Sequence, residues 1–224
     1  RVAIVFVALY DWTMFEILRH ILRGQSIARI LMNLSFRDMA LSGRVIDVGG
    51  ARKPDYFDYF DIRKVTSAEV IDGSISNIDF ETDTFPCEEK TTDTVLLCNV
   101  LEHIYNHMFL LQEIKRVLKS GGTLVGFVPF LVNYHPDPHD YFRYTQEALT
   151  RMLSDAGFKE IHVIRVGKGP FYVNFNTIML SFPRFLRPLI FIPYYFLDGL
   201  FVWLRPKSVV RYPLGYTFYA TKPS

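Results

Sequence analysis

The run DTVLLCNV, residues 93–100, sets Val95, Leu96, Leu97 and Cys98 side by side with no charged residue between them. A strand with one wet face would alternate. This one reads as buried on both faces, the habit of a parallel sheet covered by helices. RVIDVGG (44–50) and TLVGFVPF (123–130) share that character. KEIHVIRVG (159–167) and GYTFYATK (215–222) read as further strands, and so do DYFDYFDI (55–62) and AEVIDG (68–73). Between them the apolar period becomes helical. MFLLQEIKRVLKSGG (108–122) has a basic last turn and a glycine stop, and TQEALTRMLSDAGF (145–158) opens on Thr145 as N-cap and closes at Gly157. Residues 11–41 read as two helices, the first ending at Gly24 and the second stopping at Gly43. Strands alternating with helices predict an α/β fold with crossover connections. Ligands on such sheets sit beyond the carboxyl ends of the strands. That rule gathers Gly49, Gly50, Asp61, Asn99 to His103 and the loop after Phe130.

Half of the 224 residues are apolar, enough for one domain with a sizeable core. A net charge of +2 leaves no basic excess of the size a nucleic acid needs. Cys87 and Cys98 have neither a disulfide framework nor metal-ligand spacing, which suits a reducing, cytoplasmic location. VAIVFVALY (2–10) is apolar but short for a membrane helix, and no clear cleavage site follows it, so no signal peptide is assigned.

Four stretches in order, RVIDVGGA, DTVLLCNVLEHI, EIKRVLKSGGTLVGFVPF and HDYFRYTQEALTRMLSDAGF, resemble the class I S-adenosylmethionine-dependent methyltransferases, in particular the type 11 group. The resemblance covers residues 43–167, with GYTFYATK as the closing strand. It implies a Rossmann-like, seven-stranded sheet with the last strand antiparallel and helices on both faces. It also implies S-adenosylmethionine as cofactor and an in-line methyl transfer in which the protein mainly positions donor and acceptor. No metal or covalent nucleophile is required. Residues 1–42 then form an N-terminal helical segment, 43–167 the cofactor-binding core, 168–212 an aromatic insertion and 213–224 the closing strand.

The resemblance also implies roles. Gly49, Gly50 and Ala51 let the backbone approach the cofactor, and Asp47 orients that turn. An acid ending the second strand grips the ribose diol, because a carboxylate accepts two hydrogen bonds. Asp61 is favoured over Asp58 for that role, with Asp72 and Ser74 near the adenine and Asn99 and Leu101 along the cofactor. Only a few residues separate Gly50 from Tyr56, so the first crossover is expected to be reduced to a turn. For the acceptor, NYHPDPHDYFRYT (133–145) and LEH (101–103) supply His135, His139, Tyr141 and His103 as candidate bases or catalytic groups. Arg143, Asp140 and Glu102 are candidate substrate contacts, with Asp140 or Glu147 as alternative partners for Arg143. A metal held by the two His and two Asp of the loop was the lesser reading, and none is assigned.

The insertion is rich in Phe, Tyr, Trp and Pro, flanked by Arg184, Arg187, Arg205, Lys207 and Arg211, and interrupted by Pro193 and Gly199. An interfacial segment over 171–205 that meets lipid is the favoured reading, with a homodimer interface, a lid or ordinary core as the others. The expected function is methylation of an oxygen on a small or lipid-linked acceptor: a glycolipid, a polyprenyl-linked sugar or a quinone-like ring. The alternative is a non-catalytic membrane or partner-binding module on the same fold.

Overall fold

Six strands form one sheet in the computed structural model, which describes residues 13–37, 39–50, 54–73 and 77–224. They are β1 (Ala40–Val48), β2 (Asp61–Ile71), β3 (Thr92–Cys98), β4 (Leu118–Pro129), β5 (Lys159–Val166) and β6 (Gly215–Thr221), in the spatial order β2-β1-β3-β4-β6-β5. The pairs β1–β2, β1–β3 and β3–β4 are parallel, and β6 lies antiparallel between β4 and β5. Among the described residues six α-helices cover the faces: α1 (Met14–Leu22), α2 (Ile27–Ser35), α3 (His107–Val117), α4 (Gln146–Asp155), α5 (Pro170–Ile178) and α6 (Arg187–Leu204).

The core follows the two-residue period of the strands. Ile46, Val48, Val95, Leu97, Leu124 and Val128 pack with α3 and α4 on one face. Val45, Leu96, Cys98, Val125 and Phe127 pack with α1, α2 and α5 on the other. The continuous apolar run of β3 is therefore explained by burial on both sides.

The expected seven strands are six among the described residues. DYFDYFDI is not a strand. Asp55–Tyr59 close a short 3-10 helix behind Pro54, and β2 begins only at Asp61. AEVIDG is the far half of β2 rather than a separate strand. The first crossover is thus the reduced turn that the short spacing implied. Tyr56 and Phe60 are buried on it, and Phe60 stacks on Phe36 with ring centroids 4.6 Å apart. The second N-terminal helix is also shorter than its sequence period suggested: α2 ends at Ser35 and β1 starts at Ala40. Thr145 caps α4 as expected, its hydroxyl accepting from the Ala148 N–H.

Pro193 does not break the insertion helix, which runs unbroken from Arg187 to Leu204. A proline costs one backbone hydrogen bond there. Docking offsets that cost. Phe191 is fully buried against Tyr172 and Phe175 of α5. The Asp198 carboxylate, also buried, accepts the N–H groups of Gly169 (2.9 Å), Phe171 (3.0 Å) and Tyr172 (3.3 Å). It satisfies the orphan donors at the start of α5 from a neighbouring helix.

Candidate active site

The carboxyl ends of β1, β2, β3 and β4 open into two adjoining cavities. The larger, about 570 Å³, is lined by Gly49, Asp72, Phe80, Asn99, His103 and Tyr141 among others. The smaller, about 350 Å³, lies between α2, the strand ends and the start of the insertion, and Arg29, Met32, Asn99, His103, His135 and Asn176 line it. Asn99, His103 and Asp137 border both. Asn99 sits at φ 55° directly after β3, and its N–H donates to the Phe127 carbonyl at 2.9 Å. The bend turns its side chain into the junction of the two spaces.

The glycine turn behaves as a cradle. Gly49 has φ +76°, a backbone region that side chains avoid, and a Cβ there would lie 2.5 Å from Val100. A Cβ on Gly50 would lie 2.2 Å from the Asp47 carboxylate. Asp47 is buried and accepts the Tyr56 hydroxyl at both oxygens, at 2.8 and 2.6 Å. The Arg29 guanidinium sits 5.2 Å from the centre of the Tyr56 ring. Burial raises the Asp47 pKa to about 7 against the opposing pull of Tyr56 and Arg29. Asp47 therefore braces the turn from beneath. Gly50→Ala is expected to lower stability by roughly 1–3 kcal/mol through overpacking against that carboxylate and to shift the thermal midpoint down. An unshifted melt would show that the turn has room to spare.

Asp61 is the principal correction. In register it pairs with Ala40, whereas Ile71 pairs with Val48. It lies at the amino end of β2, on the order of 30 Å along the strand from the glycine turn. Its carboxylate is taken by Arg63, at 2.8 and 2.6 Å, which holds its pKa down to about 2. The acid that follows the true end of β2 is Asp72, and it lines the larger cavity beside Gly49. Asp58 lies in the 3-10 turn. Ala51 and Ser74 fall outside the described residues.

Other assignments divide. Leu101 is fully buried in the core and lines neither cavity; its carbonyl accepts the Tyr144 hydroxyl at 3.2 Å. Arg143 is not a substrate clamp: it pairs with Asp140, whose buried carboxylate also accepts the His135 N–H at 3.0 Å. Asp140 and Arg143 thus position the loop. His139 and Tyr141 line the larger cavity, away from the acceptor side where the sequence put them. His103 and His135 face each other at the junction, ring centroids 5.3 Å apart and nearly perpendicular. Glu102 lies between them, fully buried, with Oε1 3.6 Å from His103 Nε2 and 3.8 Å from His135 Nε2. The Glu102 carboxylate raises the His135 pKa above the ordinary imidazole value, against desolvation.

Sequence reasoning missed the contribution of α2. Ser26, Arg29 and Met32 wall the smaller cavity, and the Ala28 N–H donates to Asn176 Oδ1 of α5 at 2.9 Å. It also missed Tyr56, Asp79 and Phe80. Only Asp79 carried a signal, as a further acid shortly after the second strand.

The sheet order and the cavity at its carboxyl edge are those that the resemblance to class I S-adenosylmethionine-dependent methyltransferases implies. Residues 60–126, from β2 to the middle of β4, match the family model described as a methyltransferase domain. Two Mycobacterium tuberculosis proteins, both named "Probable S-adenosylmethionine-dependent methyltransferase", are 26% identical over 91 residues, 38% of this chain and 33% of theirs. The chain therefore spans about a third of those relatives. Among solved structures, Haemonchus contortus phosphoethanolamine N-methyltransferase 2 in complex with S-adenosyl-L-methionine aligns with TM-score 0.52 and 15% identity, over 86% of this chain and 52% of that one. The [4+2]-cyclase SpnF aligns with TM-score 0.51 and 17% identity, over 88% of this chain and 81% of its own. These likenesses show the fold.

Proposed function

We propose that the protein transfers a methyl group from S-adenosylmethionine to an oxygen of a lipid-linked acceptor. One observation carries the reading: two cavities, of about 570 and 350 Å³, meet at Asn99 and His103 on the carboxyl edge of the sheet. The larger cavity suits the cofactor. Gly49 lines it as bare backbone, where a Cβ would collide with Val100 on the same wall, Asp72 offers a carboxylate to a diol, and Ile78 and Phe80 supply an apolar wall for a base. When bound there, S-adenosylmethionine supplies a methyl group on a positively charged sulfur. The chain's own residues do the rest. Gly49 and Gly50 give close backbone approach, and Asn99 bends into the junction. Around His103 and His135, imidazole nitrogens and the Glu102 carboxylate form a cluster of acceptors that takes up the proton an attacking hydroxyl loses.

The lipid part of the proposal rests on the insertion. Among the described residues α6 is the one helix long and apolar enough to cross a membrane by length and composition. It is docked along one side on α5, which favours lying at the surface over spanning. Leu189, Phe196 and Trp203 recur at seven-residue spacing and are 67, 62 and 77% exposed. The only acid between residues 168 and 212 is Asp198, and it is turned inward. The outer face is therefore aromatic and flanked by cations alone, which complements anionic headgroups. Leu180, 64% exposed, also lines the smaller cavity, so the apolar face continues to the acceptor space. The location that follows is peripheral, at the cytoplasmic face of a membrane.

Incubation with methyl-labelled cofactor and a membrane lipid extract tests the reaction, with one labelled lipid-soluble product expected. Calorimetry that detects binding of neither the cofactor nor S-adenosylhomocysteine would instead favour a non-catalytic module. For the surface, Phe196→Glu with Trp203→Glu is expected to reduce co-sedimentation with anionic phospholipid vesicles at least about tenfold, because each change removes apolar burial and adds repulsion. Equal sedimentation of variant and parent would remove the membrane from the account and leave a homodimer or lid for α6.

A further inference from the structure

We propose that Glu102, His103 and His135 form a binding site for a divalent transition metal of the zinc type, with its open position facing the acceptor cavity. The proposal deepens the methyl-transfer reading and rests on it only for the use made of the metal.

The argument begins with tautomers. His135 Nδ1 lies 2.9 Å from the Asn133 carbonyl, and His103 Nδ1 is hydrogen-bonded to the His139 carbonyl. A carbonyl can only accept, and the Asn133 carbonyl at 2.9 Å outweighs the Arg143 guanidinium nitrogen 3.5 Å from His135 Nδ1, so each Nδ1 carries the proton and each neutral ring presents Nε2 as a bare lone pair. Both Nε2 atoms point at Glu102 Oε1, 3.6 and 3.8 Å away. Glu102 is fully buried, and neither of its carboxylate oxygens receives a hydrogen bond. Three acceptors thus converge, each within 4.8 Å of the others, with no donor among them.

A buried carboxylate without a partner is costly, so the cluster calls for a cation at its centre. A proton is a poor fit, because 3.6 and 3.8 Å exceed the reach of an N–H···O bond. A metal fits better. Atoms bound at about 2.1 Å around a tetrahedral centre lie about 3.4 Å apart, close to the spacing here. Backbone carbonyls that fix Nδ1–H are the outer partners that metal-bound imidazoles ordinarily have. Two imidazoles with one carboxylate suit zinc and its neighbours and disfavour magnesium and calcium, which take oxygen ligands.

Three protein ligands leave a position open. His103 and His135 both line the smaller cavity, so an acceptor hydroxyl would bind there. With a metal bound the lone pairs of the cluster are occupied, so coordination, and not proton uptake by the imidazoles, would lower the hydroxyl pKa, and the proton would leave to solvent. The oxygen then forms its bond to the methyl carbon as the carbon–sulfur bond breaks, and the electron pair leaves with the neutral thioether. The substrate class this selects is an acceptor whose methylated group is a hydroxyl.

The test uses the full chain, stripped by chelator, dialysed and titrated with zinc chloride by calorimetry. One equivalent should bind saturably. His135→Ala and Glu102→Gln should each weaken binding roughly 100-fold, while His162→Ala on the distant β5 surface should not. Cobalt in place of zinc should give the visible absorption of a low-symmetry site, and His135→Ala should abolish it. S-adenosylmethionine binding to His135→Ala, measured separately, reports that the variant is folded, since His135 does not line the larger cavity. Absence of saturable binding, or binding that survives both ligand substitutions, overturns the site. Failure to bind the cofactor would count against the methyltransferase reading and leave the metal result standing.

Discussion

Replacing Asp72 by alanine is expected to weaken binding of S-adenosylmethionine by roughly 100-fold, and replacing Asp61 to leave it unchanged. The contrast is the sharpest consequence of where β2 begins and ends. Asp72 follows the last residue of that strand and lines the larger cavity with Gly49 and Asn99. A carboxylate that accepts two hydroxyls makes two charge-assisted bonds, each contributing about 1.5–3 kcal/mol, and a loss of about 3 kcal/mol is about two decades of affinity. Asp61 stands at the other edge, its charge matched by Arg63 in solvent. Calorimetric titration of both variants decides the matter. If Asp61→Ala, and not Asp72→Ala, lost the cofactor, the strand register and the cavity assignment would both be wrong.

Raising the pH from about 4 to about 8 is expected to cost the protein stability at Asp47. Burial lifts its folded-state pKa from 3.8 to about 7. The folded state then holds the proton more tightly than the unfolded chain does. The stabilisation is fully present below the unfolded pKa and is lost as pH rises through the folded one. A difference of about three units corresponds to roughly 4 kcal/mol. Asp47→Asn cannot ionise, so the parent-minus-variant difference in unfolding free energy, measured by denaturant titration at several pH values, should fall by that order between pH 4 and 8. A flat difference would mean that the turn and Tyr56 keep Asp47 ionised at ordinary cost. The link to function is direct, because the same carboxylate sits beneath Gly50 and shapes the floor of the cavity.

Much of the architecture was legible in the chain. β3, β5 and β6 lie where uninterrupted or alternating apolar residues put them, β4 begins at Leu118 within the stretch read as the end of a helix, and Thr145 and Gly157 bound α4 as their chemistry requires. The tight turn at Gly49 and Gly50 was legible because adjacent residues without a Cβ at a strand end mark such a bend, and Gly49 has φ +76°. DYFDYFDI was misread for a physical reason. Its aromatics fit a strand and a short helix equally well. Burial of Tyr56, and of Phe60 against Phe36, decides between them. That misreading put the end of β2, and with it the expected ribose acid, at Asp61, whereas the acid that follows the strand is Asp72. In NYHPDPHDYFRYT, only five residues separate His135 from Tyr141, yet the path of the loop sends His135 to the smaller cavity and His139 and Tyr141 to the larger. Spacing could not show that Arg143 would be consumed by Asp140.

The order of strands and helices, the glycine turn and the cationic, aromatic character of the insertion are properties of neighbouring residues, and local sequence dictates them. Which acid lies beside Gly49 at the cavity, which histidines face Glu102, and whether Asp198 turns inward depend on residues far apart in the chain. Those were settled only when the sheet and its covering helices packed, because burial and hydrogen bonding at each position are set by whatever the rest of the chain brings alongside it.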